Sequence, residues 1–371
     1  MKWIKLYAYW NTNLGDDLMV EILLKRYPNY MFYSEDSNIS NQFWRIPNFR
    51  NRGFYYKKYG KLNRIFDIIT HYRYKEILLK KIFKRIEEKC ICSVYIGGSL
   101  YMQDMDSEEW LEERVTWEEK KFCTPPLYIV GANFGPIRTK HFISAFREYF
   151  LKCGGVSFRD KFSYSLFSEL PNVQYAPDVV FNLVNNIKEN RMSNRVLISV
   201  INVREKESIS QYADDYEKFI VSLCYQCVSL SKIPVLVSFC AREGDEKAIE
   251  NILNNLGQDI KFKVERLFYT GDNTDIILKE FQSADMIIAT RFHAMILSIL
   301  YKKSFWAISY NEKIKNVLND MGCNRFCTMD NLDSIRMEEI FADSEQINFD
   351  EYIKNAKHQF DQLDNYLKYN S

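Results

Sequence analysis

One stretch of the chain, residues 284–300, predicts both the fold and a site: it reads ADMIIATRFHAMILSIL. Its first half is a short apolar run with β-branched residues, and this run ends at Thr290. Its second half has apolar residues three or four apart, which is the period of a helix. The stretch therefore predicts a strand that leads into a helix through almost no loop, as in α/β proteins.

Two polar side chains, Arg291 and His293, fall at the predicted start of that helix. Unpaired backbone N–H groups and the positive end of the helix dipole favour a bound anion at this position. A cation and a titratable imidazole there predict an anion-binding site. The alternative is a histidine with a purely structural role, because the rest of the predicted helix is apolar.

Length and composition indicate an ordered protein of two domains. The chain has 371 residues, of which 47% are hydrophobic, and this is long for a single core. No run of about 18 uncharged apolar residues occurs and the amino terminus lacks a signal-peptide core, so we expect a cytoplasmic protein. Nine irregularly spaced cysteines are typical of reduced thiols. Cys224 and Cys227 have metal-ligand spacing but no second pair, so no metal is expected.

Residues 50–89 carry a strong local charge. They contain thirteen Lys or Arg and four Asp or Glu, a local charge of +9 in a chain whose net charge is +1. Eight aromatic residues are interleaved with these charges. Nucleic acid and an anionic membrane surface both fit such a segment, and a solvated, salt-bridged helical insertion is the alternative.

Alternating strand and helix patterns run along most of the chain, with one interruption. The polar residues 186–194 predict a linker between an N-terminal α/β domain, 1–185, and a C-terminal one, 195–371. A basic helical insertion is expected at about 33–90. The second domain is predicted to end in an amphipathic helix with an apolar stripe from Phe349 to Leu367.

Several candidate site residues come directly after predicted strands. In parallel sheets ligands bind beyond the carboxyl ends of the strands, and Arg159, His293 and Lys313 all have this placement. Gly97 and Gly98 also follow a predicted strand, which indicates either close approach of a ligand to the backbone or a tight turn. The first strand–loop–helix lacks the Gly-x-Gly-x-x-Gly pattern, so dinucleotide binding is disfavoured.

A set of short motifs occurs in a fixed order along the chain: Asn13–Asp17, Ile96–Leu100, Gly131–Asn133, Phe158–Asp160, Ala176–Asp178, Asp272–Asn273, Ala289–Ala294 and Ser309–Lys313. This ordered set resembles one known family, the polysaccharide pyruvyl transferases, over about residues 10–325. Two motifs depart from the family's pattern, because Ser99 replaces its usual third glycine and Asn311–Glu312 replaces an Asp–Pro pair.

The resemblance implies a fold and a set of site residues. The fold is that of the B-type glycosyltransferases, with two Rossmann-like parallel-sheet domains facing across a cleft. Arg159, His293 and Lys313 match residues thought to bind phosphoenolpyruvate and are the expected catalytic residues. The further substrate-binding candidates are Asn13, Gly15, Asp16, Gly97, Gly98, Ser99, Asn133, Asp178, Arg291 and Tyr310.

The resemblance also implies an activity, the transfer of pyruvate from phosphoenolpyruvate to a sugar of a cell-surface polysaccharide, or its lipid-linked precursor, as a ketal. Arginine and lysine would hold the carboxylate and the phosphate of the donor. His293 is the candidate acid, with a phosphate hydrogen bond as its other possible role, and Asp16 or Asp178 the candidate base. We expect no cofactor, no metal and no nucleic-acid partner, and peripheral membrane contact through 50–89.

Two other functions are compatible with the sequence. A nucleotide-sugar-dependent glycosyltransferase of the same fold would hold a diphosphate at Gly97–Ser99 or at the helix start beside Arg291. A non-catalytic glycan- or membrane-binding module would use residues 50–89, although the presence of Arg159, His293 and Lys313 together disfavours it. We further expect Arg159 and Lys313 to be exposed charges that contribute little to stability. The acceptor sugar and the oligomeric state do not follow from the sequence.

Overall fold

The computed structural model describes residues 2–36, 39–51, 73–183, 193–342 and 347–370. Two compact units divide the chain, and each is built on a parallel β-sheet. The predicted class, two parallel-sheet α/β domains, is therefore confirmed. Within the described residues no helix is both long and apolar enough to cross a bilayer.

The first unit comprises Met1–Trp10, Met19–Val179 and Lys357–Ser371. Its strands lie in the order β3-β2-β1-β4-β5-β6-β7, and neighbouring strands are parallel. The central strands are almost continuously apolar because both faces of the sheet are covered. The bounds are Trp3–Ala8 (β1), Met31–Ser34 (β2), Phe49–Asn51 (β3), Cys90–Ile96 (β4), Leu127–Ala132 (β5), Gly155–Phe158 (β6) and Val173–Tyr175 (β7).

The second unit comprises Asn11–Leu18 and Val180–Ala356. Its strands are also parallel and lie in the order β10-β9-β8-β11-β12-β13. The stretch from Ala284 forms the predicted strand β11 and helix, and all four residues of β11 are buried. The bounds are Arg195–Ser199 (β8), Ile233–Ser238 (β9), Glu265–Phe268 (β10), Met286–Ala289 (β11), Ser304–Ser309 (β12) and Phe326–Thr328 (β13).

Helices connect the strands and cover the sheets. They are Leu14–Arg26 (α1), Arg73–Glu87 (α2), Glu108–Glu119 (α3), Lys140–Leu151 (α4), Lys161–Ser165 (α5), Ala213–Ser229 (α6), Asp245–Asn254 (α7), Gln258–Lys261 (α8), Thr274–Ser283 (α9), Phe292–Leu300 (α10), Glu312–Asp320 (α11), Met337–Phe341 (α12), Asp350–Asn355 (α13) and Asp361–Tyr369 (α14).

A buried aromatic cluster fixes the carboxyl ends of β5 and β6. Phe134, just beyond β5, lies 4.8 Å from both Phe142 and Phe167, measured between ring centroids. Phe158, the last residue of β6, stacks on Phe167 at 5.7 Å. Such aromatic pairs contribute roughly 0.5–1.5 kcal/mol each beyond their buried area. The cluster therefore holds in place the two residues next to these rings, Asn133 and Arg159.

The bounds of the compact units differ from the predicted domain boundaries, because each unit contains separate segments of the chain. The loop at Asn11–Leu18 belongs to the second unit, where Leu14 N donates to the carbonyl oxygen of Phe239 (3.1 Å). The carboxyl-terminal residues Lys357–Ser371 belong to the first unit. Most of the predicted linker (residues 186–192 of 186–194) and much of the basic insertion (52–72) lie outside the described residues.

The predicted carboxyl-terminal helix is interrupted. A 3₁₀ segment, Ala356–Phe360, separates α13 from α14. Within it the buried side chain of Gln359 accepts a hydrogen bond from Gly131 N (3.0 Å) and donates to the carbonyl oxygen of Ala176 (2.5 Å). These bonds to the backbone of the first unit explain why the segment after Ala356 packs with that unit.

Candidate active site

The candidate residues form two clusters, one in each unit: the first lies beyond β4, β5, β6 and β7, and the second includes the ends of β8 and β11, where the strand order of its sheet reverses. In the first sheet the reversal lies between β1 and β4, and in the second it lies between β8 and β11. Loops at the carboxyl ends of strands diverge there and leave room for a ligand. The two clusters are described separately.

Arg159 is the centre of the first cluster, which contains Asn133 and Asp178. Its backbone N–H continues the sheet by donating to Ala132 O (2.9 Å). Its guanidinium donates through Nη1 to Asp178 Oδ2 (2.9 Å) and through Nη2 to Asn133 Oδ1 (2.8 Å). Arg159 is only 2% exposed and Asp178 1%, so the expectation of an exposed charge at Arg159 is wrong. Sequence position alone did not reveal that a buried carboxylate faces this arginine.

Gly98 makes room for that guanidinium. A Cβ atom at position 98 would lie 2.5 Å or less from three guanidinium atoms of Arg159. The carbonyl oxygen of Gly98 accepts a hydrogen bond from Asn133 N (2.8 Å), and Ser99 Oγ lies 3.5 Å from Asn133 Oδ1. The absence of a side chain at Gly98 is therefore required by close approach of a protein cation, whereas the sequence suggested a ligand or a turn.

Arg291 is the centre of the second cluster, and its charge is matched by two carboxylates. Nη1 donates to Glu243 Oε2 (2.6 Å), and Nε donates to Asp245 Oδ2 (3.1 Å). A further bond joins Nη2 to Asp245 Oδ1. Ser199 Oγ, at the end of β8, accepts hydrogen bonds from the backbone N–H of Arg291 (3.0 Å) and of Thr290 (2.9 Å). Arg291 is 6% exposed, so its guanidinium serves the packing of the second unit.

Glu243 links the arginine to further charged groups. Burial alone would raise the pKa of the Glu243 carboxyl, but the charges of Arg291, Lys206 and Lys313 lower it to about 2. The carboxylate also accepts a hydrogen bond from Asn13 Nδ2 (3.3 Å). Glu243 is therefore ionised at neutral pH and joins the amino-terminal loop to the cation cluster.

His293 lies in the first turn of α10, directly against Gly15. A Cβ atom at position 15 would lie 2.5 Å or less from three atoms of the imidazole ring. Gly15 is itself held by a hydrogen bond from its N–H to Asn13 Oδ1 (3.1 Å). The Phe292 ring and the imidazole are nearly perpendicular, with centroids 5.2 Å apart at 89°. The loop Asn13–Gly15, which is distant from His293 in sequence, thus positions the imidazole.

Tyr310 and Lys313 follow β12 in the same unit. Asn311 caps α11, since its Oδ1 accepts from Ile314 N (3.3 Å), and this fixes the turn between the two residues. Lys313 Nζ lies 5.9 Å from the centroid of the Tyr310 ring. Burial would raise the pKa of the Tyr310 phenol, but Lys313, Arg291 and Lys206 together lower it below its ordinary value. The phenol lies in a positive environment.

The structure brings most of the predicted residues into these two clusters. The first contains Gly98, Ser99, Asn133, Arg159 and Asp178, and the second contains Asn13, Gly15, Arg291, His293, Tyr310 and Lys313. Gly97 extends β4 by donating to Val130 O (3.2 Å), and Asp16 is half-buried in the first turn of α1.

Sequence reasoning missed four members of the second cluster: Ser199, Lys206, Glu243 and Asp245. Each lies at or just beyond the carboxyl end of β8 or β9, which is the signal that could have indicated them. Among the described residues no three His, Cys, Asp or Glu side chains lie close enough to hold a metal ion. Cys224 and Cys227 are buried in α6, and burial raises the pKa of both thiols.

Two solved structures with a similar fold are UDP-GlcNAc 2-epimerases. The chain is similar to UDP-GlcNAc 2-epimerase from Methanocaldococcus jannaschii in complex with UDP-GlcNAc and UDP, with 14% identity, a TM-score of 0.56 and 99% of each chain covered. It is also similar to UDP-GlcNAc 2-epimerase from Neisseria meningitidis bound to UDP-GlcNAc, with 12% identity, a TM-score of 0.54, and 99% of this chain and 100% of the other covered. At this identity the likeness defines the fold, which is glycosyltransferase-B-like as predicted.

The sequence comparison identifies the family. The family model described as polysaccharide pyruvyl transferase matches residues 13–312, so the chain belongs to the polysaccharide pyruvyl transferase family. The match begins at Asn13 and ends one residue before Lys313. The resemblance inferred from the short motifs is confirmed. No curated protein matches the chain in sequence.

Proposed function

We propose that the chain transfers the enolpyruvyl group of phosphoenolpyruvate to a sugar as a ketal and releases phosphate. The observation that carries this proposal is the placement of His293, in the first turn of α10 and against Gly15, in a unit that also places Lys313 and Arg291 around Tyr310. Membership of the family supports a transferase that acts on a polysaccharide.

The charges of the second cluster suit a small polyanion. Phosphoenolpyruvate carries a carboxylate and a phosphate on one short skeleton. Arg291 is already paired with Asp245 and Glu243, so Lys313 and the start of α10 are the groups that favour the donor. Arg159, in the first unit, remains a predicted donor-binding residue on the basis of the family resemblance.

The reaction requires an acid, and His293 is proposed for that role. Protonation of the methylene carbon of the donor makes its central carbon electrophilic. One sugar hydroxyl adds to that carbon and loses its proton to the base. A second hydroxyl of the same sugar then displaces phosphate and closes the ketal, and its proton leaves with the phosphate. An imidazole is suited to the first step because it can carry a proton near neutral pH.

The role of Asp178 is better explained by positioning than by base catalysis. Its carboxylate is 1% exposed and accepts a hydrogen bond from Arg159. Because a buried charge needs its partner, Asp178 orients and neutralises the guanidinium. Asp16, which is half-buried, therefore remains the proposed base.

Ligand-dependent stabilisation tests the proposal. Phosphoenolpyruvate should raise the unfolding temperature of the wild type, because a ligand that binds only the folded state stabilises it. Lys313→Met should abolish this effect. Lys315→Met is the matched control, since Lys315 lies in the same helix α11 and pairs weakly with Glu312 (3.9 Å). Equal stabilisation of the Lys313→Met variant and the wild type would refute the assignment of Lys313.

We also propose that the acceptor is a lipid-linked oligosaccharide at a membrane surface. It rests on the +9 charge of residues 50–89 and their aromatic residues, since each basic residue near an anionic surface contributes about 1 kcal/mol. Vesicles of phosphatidylserine and phosphatidylcholine should carry the protein upward in a density gradient, and vesicles of phosphatidylcholine alone should not. Equal recovery with both kinds of vesicle would exclude the proposal.

A further inference from the structure

Lys206, which neither the motifs nor the family pattern indicated, belongs to the second cluster. It follows β8 in the loop before α6. Its Nζ atom lies 3.5 Å from Glu243 Oε2 and 5.7 Å from the centroid of the Tyr310 ring. Lys313 Nζ lies 5.9 Å from the same centroid. Two ammonium groups, one from the loop after β8 and one from the first turn of α11 after β12, therefore share one aromatic neighbour.

The Glu243 carboxylate does not use all the hydrogen-bond donors of the Lys206 ammonium group. Glu243 already accepts a short hydrogen bond from Arg291 (2.6 Å), whereas its distance from Lys206 is at the limit for a hydrogen bond. Within the part of the chain that the structure describes, Glu243 is the one hydrogen-bond acceptor beside this ammonium group. An ammonium group has three N–H donors. Lys206 therefore retains donors for a further acceptor.

A buried amide donor lies in the same cluster. Asn202, four residues before Lys206, is 1% exposed, and its Nδ2 has no hydrogen-bond partner among the described residues. A Cβ atom at Gly244, the residue between Glu243 and Asp245, would lie 2.5 Å from that Nδ2. Buried donors without a partner are rare, and their free energy cost is offset when a ligand or water accepts from them.

We propose that Lys206 is a further donor-binding residue, which holds the phosphate group of the donor together with Lys313, beside Tyr310. The inference rests on the proposed function, because it takes phosphoenolpyruvate as the donor. A phosphate group accepts hydrogen bonds from several point charges at once, which lysine side chains supply. As phosphate leaves, negative charge accumulates on it, and two ammonium groups stabilise that charge.

The experiment compares three variants by calorimetric titration with phosphoenolpyruvate and with inorganic phosphate. Lys206→Met should weaken binding of both ligands about tenfold or more, which corresponds to about 1.4 kcal/mol, and Lys206→Arg should bind within a few-fold of the wild type. Lys247→Met is the matched control. Lys247 belongs to the same unit and pairs with Glu205 (2.9 Å), and its removal should leave both affinities unchanged.

The outcomes separate this inference from the proposed function. If Lys206→Met binds phosphoenolpyruvate as tightly as the wild type does, the inference is wrong and the proposed function stands. If both Lys206 variants lose binding and also unfold at a lower temperature, the residue holds the fold and the inference is overturned. If the wild type binds inorganic phosphate in a Lys206-dependent manner but does not bind phosphoenolpyruvate, the phosphate site stands and the proposed donor is wrong.

Discussion

Gly15 and His293 are in direct contact within the second unit, and the contact leaves no room for a side chain at position 15. Three imidazole atoms lie 2.5 Å or less from where a Cβ atom of residue 15 would be. A glycine near the amino terminus and a histidine 278 residues later therefore form one feature of the site. The backbone of Gly15 limits where the imidazole can lie.

Gly15→Ala should displace His293 and reduce the rate of transfer. The φ angle of Gly15 is not in the left-handed region, so alanine fits the backbone, and the three atoms nearest to its Cβ would all belong to the imidazole. We expect phosphate release in the presence of a glycan acceptor to fall on the order of 10²-fold, as for loss of a positioned acid. Steady-state measurement of phosphate release checks this.

The double variant Gly15→Ala with His293→Ala is the control. Once the ring is removed, alanine in the first turn of α1 should be neutral or stabilising by up to about 1 kcal/mol relative to glycine. A double variant less stable than His293→Ala alone would show that Gly15 does not act through the imidazole.

His293→Gln should separate binding from chemistry. Glutamine can donate a hydrogen bond but cannot supply a proton at neutral pH. The variant should therefore bind phosphoenolpyruvate within a few-fold of the wild type and lose on the order of 10²–10⁴ in rate. His141→Gln is a suitable control, since His141 is largely exposed in the first unit. A His293→Gln enzyme that fails to bind the donor would make His293 a phosphate ligand.

Asp178→Asn should destabilise the protein because it leaves the Arg159 guanidinium without its buried carboxylate. Removing one partner of a buried ion pair costs about 3–5 kcal/mol, and urea denaturation measures that loss. Asp215→Asn is the control, since Asp215 forms an exposed pair with Lys218 (3.6 Å) and should change the free energy of unfolding by less than about 1 kcal/mol. A stable but inactive Asp178→Asn enzyme would instead favour the base role.

Glu243 should make the folded state sensitive to acid. Its pKa in the folded state is about 2, below its ordinary value of 4.5, so the ionised form is favoured by folding. This contribution is fully present above pH 4.5 and is lost as the pH falls from 4.5 toward 2. We expect it to be about 2 kcal/mol, allowing for the quarter of the side chain that is exposed.

The comparison of Glu243→Gln with the wild type isolates that contribution. The variant should be less stable at pH 7, and its free energy of unfolding should fall less between pH 5 and pH 3 than that of the wild type. Parallel pH profiles for the two proteins would show that the ion pair of Glu243 with Arg291 does not stabilise the fold.

The sequence predicted the elements and many residues of the two clusters because both follow from local patterns. Apolar runs predicted β11 and α10, and residues at the carboxyl ends of strands gave Arg159 and His293. The contacts of those residues did not follow from the sequence. Asp178 and Gly98 lie beside Arg159 only because the sheet pairs strands that are separated along the chain. Lys206 and Glu243 were missed because they lie in segments without periodicity.

The division of the chain into two compact units also did not follow from local sequence patterns. The sequence places the loop at Asn13 in the first domain because this loop follows the first strand, but Asn13 and its hydrogen-bond partner Glu243 both belong to the second unit. The sequence around Gln359 predicted a continuous helix, because apolar spacing does not reveal that a glutamine side chain bonds to the backbone near Gly131.

Calorimetric titration of the purified chain with phosphoenolpyruvate, and separately with UDP-GlcNAc, tests the proposed donor most directly. It needs no acceptor, and it separates a pyruvyl transferase from a nucleotide-sugar enzyme of the same fold. We predict saturable binding of one phosphoenolpyruvate per chain, abolished by Lys313→Met, and no saturable binding of UDP-GlcNAc. Saturable binding of UDP-GlcNAc with none of phosphoenolpyruvate would contradict the proposed function.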